Sequence, residues 1–197
     1  MPRFDIEDDS QAIAAGAFRL VFRHDGQRWS HEIAIGERVI AVSQESDPER
    51  DDPSRIACPT YQQCHAQEVP SAREVLLVGL WGAHHCSGVF HVEERIEGEV
   101  QVNVDVAVRT RSQLLGLAST YRIRLTSQDL VSADVKGIIW RISEPVDGEL
   151  RLIGGTETRL VLAEAGRRET VVQIDVPLTE PSTTRRLIYT WSWKPLD

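Results

Sequence analysis

The run GEVQVNVDVAVRT, residues 98–110, constrains the fold more than any other part of the chain. Val100, Val102, Val104, Val106 and Val108 alternate with Gln101, Asn103, Asp105 and Ala107. A helix would scatter valines at that spacing around its circumference, whereas a strand gathers them on one face. Valine also suits a pleated surface better than a helix. The stretch is therefore a strand with one dry face, and a dry face demands a second layer to cover it.

The same period recurs along the chain. AFRLVFR aligns Phe18, Leu20 and Phe22, and Asp25-Gly26 follows as a hairpin signal. The return stretch RWSHEIAIG aligns Trp29, His31, Ile33 and Ile35. TYRIRLT aligns Tyr121, Ile123 and Leu125; RRLIYTWSW aligns Leu187, Tyr189, Trp191 and Trp193. GIIWRIS, ELRLIG, TRLVLA and TVVQIDV extend the series, punctuated by Asp147-Gly148, Gly154-Gly155 and Ala165-Gly166. About ten short strands with hairpin-length connections predict an all-β, mainly antiparallel fold. The expectation is one domain over residues 1–197, a β-sandwich or flattened β-barrel with one or two short helices. The helices are expected in SQAIAAG (10–16), with Ser10 as cap, and in RSQLLGLAS (111–119); TSQDLVSAD (126–134) fits either state. No βαβ alternation, GxGxxG or GxxxxGK[ST] is present, which argues against a doubly wound nucleotide-binding sheet.

A chain of 197 residues with 41% hydrophobic content can build a large core without staples. Three cysteines, an odd number, do not read as a disulfide framework. The opening MPRFDIEDDSQAIAAGAF lacks the basic and apolar regions of a signal peptide, and no run of apolar residues is long enough to span a membrane. These features together predict a cytoplasmic protein. The formal net charge of -8, from 22 basic and 30 acidic residues, argues against a nucleic-acid backbone as partner and against an anionic membrane surface.

One segment breaks the rhythm. Residues 44–72 carry four prolines, no glycine and many charges, and are expected to form a long polar loop. Its first part, QESDPERDDPSR, reads as solvated; its second, IACPTYQQCH, holds Cys58, Cys64, Tyr61 and His65.

The chemistry-bearing residues concentrate nearby, in LWGAHHCSGVFHVEER, residues 80–95. Read as a strand after a Trp81-Gly82 turn, it places His84, Cys86, Gly88, Phe90 and Val92 on one face. His85, Ser87, Val89, His91 and Glu93 fall on the other. A zinc reading takes Cys64, His65, His85 and His91 as ligands, since zinc favours a tetrahedron of thiolate and imidazole donors. The five residues between Cys58 and Cys64 are a poor match for structural zinc spacing. A thiol reading takes Cys86 as nucleophile and His84 as its base, two positions away on the same face. That spacing puts their Cα atoms about 6–7 Å apart, long for a direct pair. The packing reading is the simpler one, because free cysteines are among the most buried residues and a strand histidine can bond a neighbour. His31 reads as a core histidine, and Tyr189–Trp191–Trp193 as core or subunit-interface packing.

The chain is therefore expected to be a non-catalytic binding or self-assembling module. Its partner would be a small molecule, a protein or a second copy in a homodimer, with no cofactor. The alternative is an enzyme or metalloprotein, with zinc or a thiol at a site formed by residues 56–65 and 84–91.

Overall fold

The structure is a computed structural model and describes residues 1–7, 10–47, 51–52, 54–110, 112–164, 170–178 and 183–196. The chain opens with an antiparallel meander: β1 (Arg3–Glu7), β2 (Ser10–Ala15), β3 (Phe18–His24), β4 (Trp29–Ile35) and β5 (Arg38–Ser43). The Asp25-Gly26 turn joins β3 to β4, as its sequence predicts. The Asp25 carboxylate accepts the amides of Gln27 and Arg28, both at 2.9 Å, and Gly26 supplies φ +95°. After the short β6 (Arg55–Ile56) comes a second meander, β7 (Gln63–Val69), β8 (Ala72–Trp81), β9 (His84–Glu94) and β10 (Val100–Thr110). Then follow β11 (Gly116–Ile123), β12 (Leu130–Ala133), β13 (Gly137–Ile142), β14 (Gly148–Gly154), β15 (Arg159–Glu164), β16 (Thr170–Val176) and β17 (Thr184–Pro195).

These strands form two sheets and no closed barrel. The first runs β1-β2-β3-β4-β5-β11-β16-β15, with β6 beside β11; the second runs β12-β13-β14-β17-β10-β9-β8-β7. Both neighbours of β11 and of β17 come from distant parts of the chain, so these two strands stitch the meanders together. The valine strand β10 lies between β9 and β17. Its register sets Val102 against Trp191, Val104 against Tyr189 and Val106 against Leu187. All five valines are sealed, and each contributes about 1.5–3 kcal/mol by leaving water. The opposing inner faces meet in one apolar cluster, with Phe22 edge-on to Phe90 and Tyr121 edge-on to Trp191 across the two layers.

Three expectations are corrected. Residues 10–16 are not helical: Ser10–Ala15 is β2, held on both sides by β1 and β3. Arg111 lies outside the described residues, but Gly116–Ile123 is β11 rather than the end of a helix, and Leu130–Ala133 is the edge strand β12. Among the described residues the sole helical piece is one 3-10 turn, Ile96–Gly98. The segment 44–72 is also not one loop, because it contains β6 and the whole of β7. Within its first part, residues 48–50 and 53 lie outside the described residues, as do Ala165 and Gly166.

Candidate functional site

Strand β9 alternates as its sequence predicts. His84, Cys86, Gly88, Phe90 and Val92 are buried against the core, while His85 is exposed and Ser87, Val89 and His91 are half-buried on the outer face. The alternation runs through the whole strand, in register with β8 from Trp81–His84 to Ala72–Glu93.

This geometry does not bring the four zinc candidates together. Cys64 points inward, packs against the core and donates its thiol to the Gln11 side chain at 3.3 Å. His65 is the next residue on β7 and so faces outward. His85 and His91 share the outer face but stand six residues apart along β9, about 20 Å at the usual strand rise. His65 lies opposite Leu76, which lies opposite Val89, so it sits two strands and two residues from His91, roughly 12 Å. No group of three or more metal-binding side chains converges anywhere among the described residues.

The thiol pair is no better placed. Cys86 and His84 share a face but line a sealed interior, in register with Gly79 and Trp81 on β8. Burial pushes the Cys86 thiol up to about 12, so it stays protonated and a poor nucleophile. Cys58 is raised further, first by burial and then by the nearby Glu45 charge. The three cysteines are free thiols.

A polar chain inside the core joins residues that the sequence separates widely. His31 on β4 is fully buried, its Nε2 at 2.6 Å from the Tyr121 hydroxyl on β11. The Tyr121 hydroxyl lies 2.7 Å from that of Tyr189 on β17, in the other sheet. Phe22, Phe90 and Tyr121 rings surround the imidazole, with centroids at 4.7–6.0 Å. The His31 backbone amide is held by the Ser43 hydroxyl at 2.8 Å, and that hydroxyl donates in turn to Glu45. Desolvation drops the His31 pKa to about 3, so the ring is neutral, and it raises Glu45 above the usual carboxylate range. The chain has the makings of a proton relay, but His31, Tyr121 and Tyr189 are all buried, and together they tie the two sheets as a hydrogen-bonded strut. The alternation of RWSHEIAIG marked His31 as core; its partners, 90 and more residues away, left no local signal.

The outer face of the eight-stranded sheet is the remaining chemical surface. A polar row crosses it through Gln67, Glu74, His91, Asn103 and Thr190, each in register with the next. The Gln67 amide donates to Glu74 at 2.7 Å, and His91 Nδ1 meets the other Glu74 oxygen at 2.8 Å. These bonds, His91 first, hold the Glu74 carboxyl below the ordinary range. An imidazole oriented by a carboxylate is half of a hydrolytic triad. Yet its in-register neighbours are Glu74 and Asn103, and its same-face neighbours on β9 are Val89 and Glu93; none is a hydroxyl or thiol. Beside the row lies an apolar stripe, Leu76, Val78 and Leu80 on β8 with Val89 on β9. Val78 is 37% and Leu80 55% exposed. Elsewhere, Glu37, Arg38, Glu144 and Pro145 line an open surface hollow, in which Arg38 donates to the Glu144 carbonyl at 3.4 Å.

No known family model matches the sequence, and no curated protein is found as a relative. No helix among the described residues is long and apolar enough to cross a membrane.

Proposed function

We propose that this chain is a non-catalytic β-sandwich module that acts by docking to protein through the outer face of its eight-stranded sheet. The apolar stripe Leu76–Val78–Leu80–Val89 carries the reading: it lies on a sheet face that none of the described elements covers, rimmed by His65, His85, His91 and the Asp105–Arg186 ion pair. An apolar centre with a polar rim is the anatomy of a protein contact, and aliphatic side chains gain from burial by a partner. The Cys58 and Cys86 thiols and the His31–Tyr121–Tyr189 relay are sealed by packing, which leaves the outer face as the favoured site. Three free thiols fit a reducing compartment, and we place the protein in the cytoplasm on that ground.

Native mass spectrometry on protein purified without chelator or metal-affinity resin tests the reading. The expected spectrum is bare polypeptide at monomer or dimer mass. A mass excess equal to one zinc ion, lost when His85 and His91 are both replaced by alanine, would overturn it in favour of a metalloprotein.

A further inference from the structure

Besides the two-residue β6, which pairs only with β11, the described residues form four edge strands, and three of them carry devices that discourage pairing with another chain. Strand β1 alternates charge, with Arg3 and Asp5 paired at 3.8 Å. Strand β12 is four residues long and bulged between Leu130 and Ser132. Strand β15 spends the amide of Leu160 on the carbonyl of Val135, at 3.0 Å, and carries the Arg159–Asp175 ion pair.

The fourth edge, β7, is neither short nor bulged, and its one ion pair lies within its own hairpin with β8. Its sequence is QCHAQEV, with no lysine, arginine or proline, and its register with β8 runs unbroken from Gln63–Val78 to Val69–Ala72. Its one formal charge, Glu68, is neutralised by Arg73 at 3.0 Å. The inward side chains Cys64 and Ala66 pack against the core yet stay half-open, where β9 buries its equivalents. The core is one strand short of cover along this edge.

Resting on the docking reading above, we infer that β7 is the seam at which a second copy of this chain adds, antiparallel β7 to β7 about a two-fold axis. An antiparallel pair of identical strands satisfies its own donors and acceptors, so one strand serves as both template and partner. Gln63 and Gln67 stand equally far from His65. A two-fold at His65 therefore sets each Gln63 against Gln67 of the second copy, amide to amide on the outer face. On the inner face the same axis sets Cys64 against Ala66, two small side chains that complete each other's cover. Charge permits pairing at this edge as well. Two chains of net charge -8 repel, and β7 with its neutralised Glu68 lets them approach without stacking like charges. The joined sheets run the apolar stripes of both copies along one continuous face. Seven residues make a small interface, so the dimer dissociates on dilution through roughly the micromolar range.

Sedimentation equilibrium of the full chain, from micromolar to near-millimolar concentration, tests this with two double variants. His65→Lys with Gln67→Lys places like charges at the seam, on exposed side chains, and its urea unfolding curve checks that losing the Gln67–Glu74 bond leaves it folded. Leu80→Glu with Val89→Glu alters the outer face at residues that are not in register with β7, and so leaves the seam alone. The expected result is a wild-type mass that doubles with concentration, at least tenfold weaker association in the lysine variant, and wild-type association in the glutamate variant. A wild type that stays monomeric, or a lysine variant that dimerises normally, overturns the seam. Dimer loss in the glutamate variant alone moves the interface to the outer face, sinking the seam while sparing the docking reading; bound zinc in the native spectrum sinks that reading. Hydrogen exchange in wild type is an independent check: β7 amides gain protection as concentration rises, and unchanged exchange across a mass doubling would place the interface elsewhere.

Discussion

Tyr121 and Tyr189 meet hydroxyl to hydroxyl at 2.7 Å inside the core, one from each sheet, and Tyr121 also meets His31. The middle member of a chain has the most to lose. Tyr189→Phe leaves Tyr121 its bond to His31, and the expected cost is about 1 kcal/mol. Tyr121→Phe strands His31 and leaves Tyr189 only Ser119, for an expected cost of about 2–3 kcal/mol. Urea denaturation of the two variants checks the order. A Tyr189 variant that is the less stable of the two would contradict this arrangement.

His31 makes stability depend on pH. Its folded pKa is lowered from 6.5 to about 3, so between those values the unfolded chain takes a proton that the native state refuses. Stability therefore falls as pH drops below about 6.5, by up to ~1.4 kcal/mol per pH unit, until the native ring also titrates near 3. Glu45 works the other way. Its raised folded pKa means the native state holds the proton more tightly, so its contribution grows as pH falls through that pKa toward 4.5. Comparing wild type with His31→Gln isolates the histidine, since Glu45 is common to both. The difference in unfolding free energy between pH 7 and pH 5 should shrink in the variant; an unchanged difference would mean that His31 accepts a proton in place.

The cysteines should be slow to react in the native state. Burial pushes Cys64 and Cys86 to about 12 and raises Cys58 beyond them, leaving little thiolate at pH 8. With a small alkylating reagent, Cys64, the half-buried one, is expected to label first, and Cys58 and Cys86 only after denaturant is added. Peptide mass spectrometry reads the order. Fast labelling of Cys86 in native protein would revive it as a nucleophile.

The sequence was most legible where one strand carried the whole signal. The faces of β9 and the dry stripe of β10 follow from alternation alone, because burial of one face is a property of the strand itself. Ser10–Ala15 read as helix because alanine favours one locally, yet strands on both sides turn it into sheet, a case of tertiary pairing overriding propensity. Strand β7 was hidden for a related reason. Val69 is its only β-branched residue, and its hairpin to β8 turns at Ser71 with φ +64°, not at the glycine that usually marks such a turn. The His31–Tyr121–Tyr189 chain needed three strands from two sheets, information that no window of sequence contains.

Tyr61, with the Thr60 carbonyl beside it, explains two glycines on the inner face of the eight-stranded sheet, and this gives the most specific test of the packing. Its side chain is buried, and its strand partner is not β8 but Trp29 of the opposite sheet. A Cβ on Gly88 would lie 2.8 Å from the Tyr61 hydroxyl and 3.1 Å from its ring, while one on Gly79 would lie 2.7 Å from the Tyr61 backbone. The two sites differ in what can yield. At Gly88 the obstacle is the tip of a side chain, so Gly88→Ala is expected to cost about 1–3 kcal/mol as an overpacked core. Adding Tyr61→Phe removes the nearest atom, and the double variant should recover part of that loss. At Gly79 the obstacle is backbone, so Gly79→Ala is expected to cost more and to gain nothing from Tyr61→Phe. Thermal and urea unfolding of the six proteins, wild type included, complete a double-mutant cycle at each glycine. Coupling at Gly88 without coupling at Gly79 is the expected pattern. Equal rescue at both would mean that the 60–61 backbone moves as freely as the ring.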